Sequence, residues 1–231
     1  MAAERVASMA GKLIVFEGTD GSGKATQTAL LCGELDRRGI PYRRLEFPRY
    51  SEDSSALIRL YLGGAFGDDP EAVNAYAAST FYAVDRYASY QCVWKDYYQG
   101  GGLVVSDRYT TSNAVHQGSK VPEGERAEFF RWLYDLEYDR MGLPRPDLVV
   151  LLDMPVELSE QLMRKREQST GTHADIHERD EDYLKKCRGV ALHAAKYYGW
   201  RTVSCAKDGA IRGVEDIHEE VYAIVKSCLE D

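Results

Sequence analysis

The amino-acid sequence predicts an α/β fold in which five parallel strands form one sheet with helices on both faces. The first observation is an alternation along the chain, where short apolar runs rich in β-branched residues are each followed by a longer stretch of helical character. The second is that the runs LVVS at 103–106 and LVVLL at 148–152 lack polar alternation, as expected for parallel strands buried on both faces. The third is length, because 231 residues suffice for one domain with a substantial core.

The individual elements follow from these patterns in chain order. Strands are predicted at 13–17, 44–47, 103–106, 148–152 and 202–205. Helices are predicted at about 24–38, 70–98, 123–140, 156–166, 180–197 and 214–229. Strands joined by helices imply right-handed crossovers and therefore a doubly wound sheet.

The predicted domain organisation is simple. Residues 1–10 are expected to form a flexible N-terminal tail and 11–231 a single domain, since neither a linker nor an internal repeat interrupts this range. The segment EQSTGTHADI at 167–176 is the most turn-rich of the chain and is predicted to be a mobile loop. It belongs to a short lid predicted at about 164–178.

Composition and charge narrow the class of ligand. The net charge of −8 and the pI near 5.3 disfavour nucleic acids and anionic membranes as partners, because both bind basic surfaces. No stretch approaches the ~20 apolar residues that span a bilayer, and the five cysteines have no CxxC spacing. We therefore expect a cytoplasmic protein with free thiols and a local pocket for a small anion.

A glycine-rich motif lies between the first predicted strand and the first predicted helix. Residues 18–26, GTDGSGKAT, have the spacing GxxxxGK of a P-loop in the context that the motif requires. Its backbone N–H groups would converge on phosphate oxygens, and Lys24 would supply a charge to the β- and γ-phosphates. The alternative is a glycine-rich turn with an incidental lysine. The motif predicts a P-loop NTPase fold with ATP bound by Gly18, Thr19, Asp20, Gly21, Ser22, Gly23, Lys24, Ala25 and Thr26.

The P-loop lacks one residue type that commonly binds Mg²⁺. Ala25 stands where a Ser or Thr hydroxyl is usual, and Thr26 lies about 100° further round the helix, so it does not replace that ligand. Asp107 ends an apolar strand, where ligands of open α/β sheets bind, and is the first candidate for the magnesium shell, directly or through water. Its alternative role is to cap the following helix. Asp153, which ends another strand, is the second candidate.

Six segments resemble thymidylate kinases, a family of P-loop nucleoside monophosphate kinases. They are FEGTDGSGK, FPRY, FYAVDR, SDRYTTSNAV, GLPRPDLVVLL and HERD, and they occur in the family's order over nearly the whole chain. The resemblance implies Mg²⁺-dependent phosphorylation of dTMP to dTDP with ATP as the donor. It also implies a homodimer that forms through helices of the region 70–98.

The resemblance also assigns roles to individual residues. Asp20 approaches the sugar 3′-hydroxyl and helps to organise the metal, while Arg108 binds the acceptor phosphate and bridges toward the transferred group. Arg49 follows Phe47-Pro48, whereas some members carry the arginine one residue later. His116 stands where some members carry a tyrosine near the sugar C2′. The implied dTMP-binding residues are Asp20, Phe47, Pro48, Arg49, Tyr82, Arg86, Arg108, Ser112, Asn113, His116 and Glu178.

Physical chemistry is compatible with the predicted base pocket but leaves alternatives open. Tyr82 and Arg86 are four residues apart on a predicted helix and share a face, so a ring that stacks on thymine and an arginine that bonds its O4 could form one wall. The same pair could instead pack an aromatic ring into the core beside an arginine whose charge reaches solvent. Asn113 could equally be a turn residue and His116 a surface histidine.

Members of the family carry a catalytic arginine either in the P-loop or in the lid. Gly21 leaves the P-loop position without charge, so the basic cluster Arg164, Lys165 and Arg166 is the predicted source. A solvated basic helix end is the alternative. The predicted catalytic residues are Lys24, Arg108, Asp20, Arg164 and Arg166, with Asp107 and Asp20 at the metal.

The sequence disfavours two alternative functions, those of a deoxynucleoside kinase and of a GTP-binding switch. A deoxynucleoside kinase would need a base for its hydroxyl acceptor, and such enzymes typically carry an acid soon after the second strand, where this chain has Phe47-Pro48-Arg49. A GTP-binding switch would need an NKxD-type motif after a late strand, and the sequence contains none.

Overall fold

A computed structural model of the chain describes residues 11–67, 69, 71–170 and 181–230, with the backbone alone for 165–170 and 181. Five parallel strands form the main sheet in the order β2-β3-β1-β4-β5, which confirms the predicted sheet. The predicted tail at 1–10 and most of the predicted lid lie outside the described residues. The strands are β1 (Leu13–Glu17), β2 (Tyr42–Glu46), β3 (Leu103–Asp107), β4 (Leu148–Asp153) and β5 (Arg201–Ser204).

Helices cover both faces of the sheet. The described α-helices are α1 (Lys24–Arg37), α2 (Ala56–Leu62), α3 (Ala75–Ser89), α4 (Lys95–Gln99), α5 (Thr110–His116), α6 (Arg126–Tyr134), α7 (Val156–Thr170), α8 (Glu181–Tyr198) and α9 (Val214–Glu230). A small hairpin of β6 (Ala206–Lys207) and β7 (Ala210–Ile211), which the sequence patterns did not predict, precedes α9.

Successive side chains of the central strands enter two different cores. Leu13 and Val15 of β1 pack with α3, α6 and α8, whereas Ile14 and Phe16 pack with α1 and α9. All four of these side chains are completely buried. Both faces of β1 are covered by helices, so the side chains on both faces of the strand must be apolar. This is the physical reason for the continuous apolar run at 13–16.

The predicted helix at 70–98 is wrong as a single element. It begins at Ala75, because the Asn74 side chain accepts a hydrogen bond from the Ala77 N–H at 2.9 Å and caps the helix there. A π-helical turn at Tyr90–Trp94 then separates α3 from α4. A second π-helical turn, Asp135–Arg140, likewise ends the predicted helix at 123–140.

Other differences concern short helices and one helix end. The sequence patterns missed α2 and α5, each only seven residues long. The predicted loop at 167–176 is wrong in its first part, since α7 continues to Thr170. The residues Glu167 and Gln168 are good helix formers, and the first strong helix breaker is Gly171.

The strand order creates a crevice beside β1. Its neighbours β3 and β4 continue the sheet in opposite directions, and ligands of open α/β sheets bind at the carboxyl ends of strands at such a switch point. The register pairs Phe16 with Asp107, so the ends of β1 and β3 lie side by side. Within the described part of the chain, no helix has the length and apolarity needed to cross a bilayer.

Candidate active site

The P-loop forms the turn between β1 and α1. Gly18, Gly21 and Gly23 have φ values of 153°, 75° and 92°, which L side chains rarely adopt. A Cβ atom on Gly18 would lie 2.5 Å from the Ser22 Oγ, so the turn is also too tight for a side chain there. The loop ends at the N-terminus of α1, whose partial positive charge favours bound phosphate.

Lys24 folds back over this loop. Its Nζ donates to the carbonyl oxygens of Gly18 at 2.8 Å and Thr19 at 2.9 Å, and lies 4.0 Å from the Asp20 carboxylate. Burial and the charge of Arg108 lower the pKa of Lys24. Its two hydrogen-bond acceptors are neutral carbonyls, which bind an ammonium group more weakly than phosphate oxygens do.

Gly21 is where the P-loop contacts α7. A Cβ atom at this position would lie 2.6 Å from the Ser159 carbonyl oxygen and 2.9 Å from the Met163 Cγ. Because the first of these is a backbone atom of a helix, it cannot move aside cheaply. The absence of a side chain at position 21 is therefore a packing requirement as well as a lack of charge.

Arg108 brings the predicted phosphate sites together. Its Nη2 donates to the Asp20 Oδ1 at 2.6 Å, and its Nη1 lies 3.2 Å from the Ser112 Oγ and 3.1 Å from the His116 Nε2. Its φ of 66° is unusual for a residue other than glycine, and such strain is concentrated at functional sites. Burial alone would raise the pKa of Asp20, but the charges of Arg108 and Lys24 lower it well below its usual range.

Glu17 contacts Arg108 and the P-loop, and it was not predicted as a site residue. Its carboxylate is completely buried, with one oxygen 3.5 Å from the Arg108 Nη1. It accepts hydrogen bonds from the Gly18 N–H at 2.9 Å, the Thr111 Oγ1 at 2.6 Å and the Ser112 Oγ at 2.7 Å. The last residue of β1 thereby joins the P-loop, α5 and Arg108. In the sequence, Glu17 stands out only as a charged residue at the end of an otherwise apolar strand.

Asp107 lies at the end of β3, as predicted, and is buried. Burial raises the pKa of Asp107 despite the nearby charges of Lys24 and Arg108. Its carboxylate makes no hydrogen bond with the described residues, whereas Asp153 is bound by the Arg188 guanidinium through contacts of 2.6 and 3.0 Å. Asp107 therefore has more capacity for a cation than its rival Asp153.

The predicted acceptor segment is held by the helix that carries FYAVDR. The Phe47–Pro48 peptide bond is cis, and the Arg49 N–H donates to Asp85 Oδ2 at 2.9 Å. The Ser54 hydroxyl donates to the other oxygen of Asp85 at 2.6 Å. The Arg49 side chain is three-quarters buried and pairs with Glu52 at 3.0 Å. Asp85, a residue without a predicted role, thus fixes this loop against α3.

Arg86 belongs to a buried polar cluster around Glu137. Its Nε and Nη2 each donate to a Glu137 oxygen at 2.6 Å, and both side chains are buried. Thr110 donates to the same carboxylate at 2.8 Å and Asn113 at 3.3 Å. Burial works against the Arg86 charge, but Glu137 outweighs it and raises the pKa of Arg86. Tyr82 lies one turn earlier on α3 and is half-buried.

His116 ends α5 and is enclosed by polar groups. Its Nδ1 lies 3.2 Å from the Tyr183 hydroxyl, while Nε2 faces Arg108. Burial and the Arg108 charge lower the pKa of His116 to about 4, so the ring is neutral at physiological pH. His116 is therefore a half-buried, hydrogen-bonded residue and not an exposed surface histidine.

The lid residues are only partly described. Arg164 lies on α7 with its side chain 75% exposed and 3.4 Å from Glu160. The side chain of Arg166 lies outside the described residues, as does Glu178 altogether. The structure therefore brings Lys24, Asp20, Asp107 and Arg108 into one group, whereas the described contact of Arg164 is with Glu160.

Comparisons with known proteins find similarity to one family. The family model described as thymidylate kinase matches residues 16–221. A thymidylate kinase of Mycobacterium tuberculosis is 34% identical over 199 residues, which cover 85% of this chain and 92% of that protein. A probable thymidylate kinase of Thermococcus onnurineus is 32% identical over 215 residues, which cover 92% and 96% of the respective chains.

A solved structure shares the fold. The thymidylate kinase of Candida albicans matches with a TM-score of 0.70, covering 94% of this chain and 92% of its own. The sequence identity is 21%, so this similarity concerns the architecture.

The Glu137–Arg86 pair generates a prediction about stability. Glu137→Gln should lower the free energy of unfolding by about 3 to 5 kcal/mol, because it leaves the buried guanidinium without a counter-charge. Urea unfolding followed by circular dichroism measures this. The matched control is Asp135→Asn in the same turn, whose exposed pair with Arg140 should contribute about 0 to 1 kcal/mol. Equal losses for the two variants would contradict the buried-charge explanation.

Proposed function

This chain belongs to the thymidylate kinase family and is a kinase, and we propose that it transfers the γ-phosphoryl group of ATP to the phosphate of dTMP in a Mg²⁺-dependent reaction. The observation that carries the proposal is the contact of 2.6 Å between Arg108 and the P-loop residue Asp20. A cation suited to an acceptor phosphate therefore stands directly beside a loop suited to ATP. The product, dTDP, would serve deoxynucleotide biosynthesis.

The P-loop would bind the triphosphate. Its backbone N–H groups and the N-terminus of α1 would receive the phosphate oxygens, and Lys24 would exchange its carbonyl partners for the β- and γ-phosphates. The charge on Lys24 is stabilised by Asp20 and Asp107, which both raise its pKa against the effect of burial. These carboxylates thus limit the lowering of the Lys24 pKa that burial and the Arg108 charge cause.

The acceptor side would hold a phosphate that is already anionic. In-line attack by such an oxygen needs no strong general base, so the residues contribute positioning and charge. Arg108 would bind the acceptor phosphate between its contacts with Asp20 and Ser112. Arg49, whose N–H is bound by Asp85, would be a second contact of the acceptor phosphate.

The base and sugar would lie between α3 and α5. Tyr82 would stack on thymine and Arg86 would approach its O4, with Arg86 fixed in direction by Glu137. Asn113 is oriented by Ser79 and Glu137, which receive its amide N–H groups at 3.0 and 3.3 Å and leave its carbonyl oxygen for a ligand. The remaining proposed contacts are Phe47, Pro48, Ser112, His116 and Glu178.

The donor set is compatible with Mg²⁺. Among the described residues, no group of three or more His, Cys, Asp or Glu side chains could hold a metal by itself. Mg²⁺ typically uses one or two carboxylates with substrate phosphates and water, and Asp107 and Asp20 supply two. When bound, the ion would neutralise developing charge on the phosphates. Ala25 contributes no ligand.

The assembly would be a homodimer. The outer face of α3 exposes Tyr76 by 40%, Val84 by 47% and Tyr87 by 41%, which is a large apolar surface for one helix in water. Light scattering that finds a monomer at micromolar concentration would contradict the dimer.

All five cysteines lie in the described part of the chain as thiols rather than disulfides, in keeping with the proposed cytoplasmic location.

The proposed reaction is tested with a panel of acceptors. With ATP and Mg²⁺, dTMP should yield dTDP, thymidine should be a poor acceptor, and GTP alone should not be hydrolysed at a comparable rate. Lys24→Met should lower transfer to dTMP by roughly 10²-fold or more while the circular dichroism spectrum is retained. Lys226→Met, a 55% exposed lysine on α9, is the matched control and should behave as the wild type. Preferred turnover of thymidine would point instead to a deoxynucleoside kinase.

The metal assignment is tested by Asp107→Asn, which keeps the shape and removes the charge. The variant should need ~10- to 100-fold more Mg²⁺ for half-maximal rate, by analogy with the loss of other metal-site contacts. Titration of activity with Mg²⁺ measures this. Asp153→Asn is the comparison, since Asp153 is engaged by Arg188. If only the Asp153 variant changes its Mg²⁺ requirement, the second candidate is the ligand.

The lid is tested by Arg164→Ala and Arg166→Ala, separately and together. At least one variant should lower kcat far more than it raises KM for dTMP, because a cation that acts in the transition state affects kcat and kcat/KM together. Arginines in this role contribute ~10³ to 10⁵ in rate. Arg37→Ala is the control, since this 73% exposed arginine also pairs within its own helix. A drop below about tenfold in the double variant would assign the charge to Arg108 or Arg49.

A further inference from the structure

His116 connects the acceptor-side arginine to a helix that the proposed mechanism does not use. It is the last residue of α5, and its ring lies between Arg108 and two side chains of α8. Nε2 is 3.1 Å from the Arg108 Nη1. Nδ1 is 3.2 Å from the Tyr183 hydroxyl and 3.8 Å from the Cys187 Sγ.

The chemistry of these partners fixes where the ring proton lies. A guanidinium group has donors and no acceptor, so Nε2 must present its lone pair to Arg108. A neutral imidazole then carries its proton on Nδ1, which donates to the Tyr183 oxygen. Burial, together with the adjacent charge of Arg108, lowers the pKa of His116 to about 4, in agreement with a neutral ring.

The His116 Nε2 is one of the acceptors that hold the Arg108 guanidinium in place. Nη2 is held by the carboxylate of Asp20, whereas Nη1 is shared by two neutral acceptors, the Ser112 Oγ and the His116 Nε2. The Ser112 hydroxyl donates to Glu17, so its direction is also fixed. Without the imidazole, Nη1 would retain Ser112 and the more distant Glu17, at 3.5 Å, as described partners.

We infer that His116 is a positioning residue, which orients Arg108 for phosphoryl transfer by accepting a hydrogen bond at Nε2 while Tyr183 of α8 holds the ring in its Nδ1–H form. The kinetic part of this inference rests on the proposed function; the position of the ring proton does not. Direct contact with the sugar, proposed above for the same residue, is a separate role.

The kinetic experiment compares two substitutions that differ in one property. His116→Phe keeps a planar ring and removes the acceptor, whereas His116→Gln offers an amide oxygen at a similar reach. We expect His116→Phe to lower kcat/KM for dTMP by ~10-fold or more, as misplacement of a catalytic group does, with KM for ATP unchanged. His116→Gln should recover most of the loss.

Two kinetic results would overturn the inference. One is a His116→Phe enzyme with the kcat/KM of the wild type. The other is equal impairment of both variants accompanied by the same fall in melting temperature, which would indicate a structural role alone. If the wild type itself fails to phosphorylate dTMP, the proposed function is wrong, and the ring proton is then decided by nuclear magnetic resonance.

The proton position is measured without any activity. In protein labelled with ¹⁵N at histidine, the ring nitrogens of His116 are assigned by their loss from the His116→Gln spectrum, which distinguishes them from the other four of the five histidines. The expected pattern is a protonated Nδ1 and an unprotonated Nε2 at pH 7. A proton on Nε2 would overturn the inference, since that nitrogen could then not accept from Arg108.

Discussion

The site depends on the compensation of one partly buried positive charge, that of Arg108. Its side chain is only 16% exposed, and a guanidinium in such a position is costly unless opposite charges and hydrogen bonds surround it. Asp20 supplies a carboxylate from the P-loop and Glu17 supplies one from the end of β1. Since Asp20 lies in the P-loop and Glu17 immediately precedes it, the proposed acceptor-side cation and the proposed donor loop are held by the same contacts.

Glu17 shows how such compensation extends into the fold. A completely buried carboxylate needs its own hydrogen bonds, and it receives them from Gly18, Thr111 and Ser112. The N-terminal half of α5 is therefore tied to the end of β1 by polar contacts, although its sequence has few strong helix formers. Glu137, which is also completely buried, acts in the same way where it joins α3 and α5 through Arg86, Thr110 and Asn113.

These contacts mark the limit of what the sequence could predict. The P-loop and the buried strands were predictable because their signals are local, namely glycine spacing and continuous apolar runs. Glu17 and Glu137 were missed because their roles arise from partners distant along the chain; Arg86 and Glu137 are 51 residues apart. The end of α7 differs from the prediction for another reason, because Glu167 and Gln168 favour helix although the composition at 171–176 is rich in turn residues. Asp85 lies in the segment FYAVDR, but the sequence predicted no partner for it. Its partners, Arg49 and Ser54, come next to it only when the segment 47–54 is folded.

Gly21 is a further residue whose role depends on a contact with a distant part of the chain. From the sequence it was a position that lacks an arginine, which is a statement about charge. In the structure its Cα faces the Ser159 carbonyl of α7 so closely that even a methyl group would collide, at 2.6 Å. The close approach of α7 and the empty position are therefore one feature, because a side chain at position 21 would require α7 to move away from the P-loop. A cation for the transferring phosphoryl group must then come from α7 and the segment C-terminal to it, or from Arg108 or Arg49. Packing at a single glycine thus limits which parts of the chain can complete the proposed mechanism.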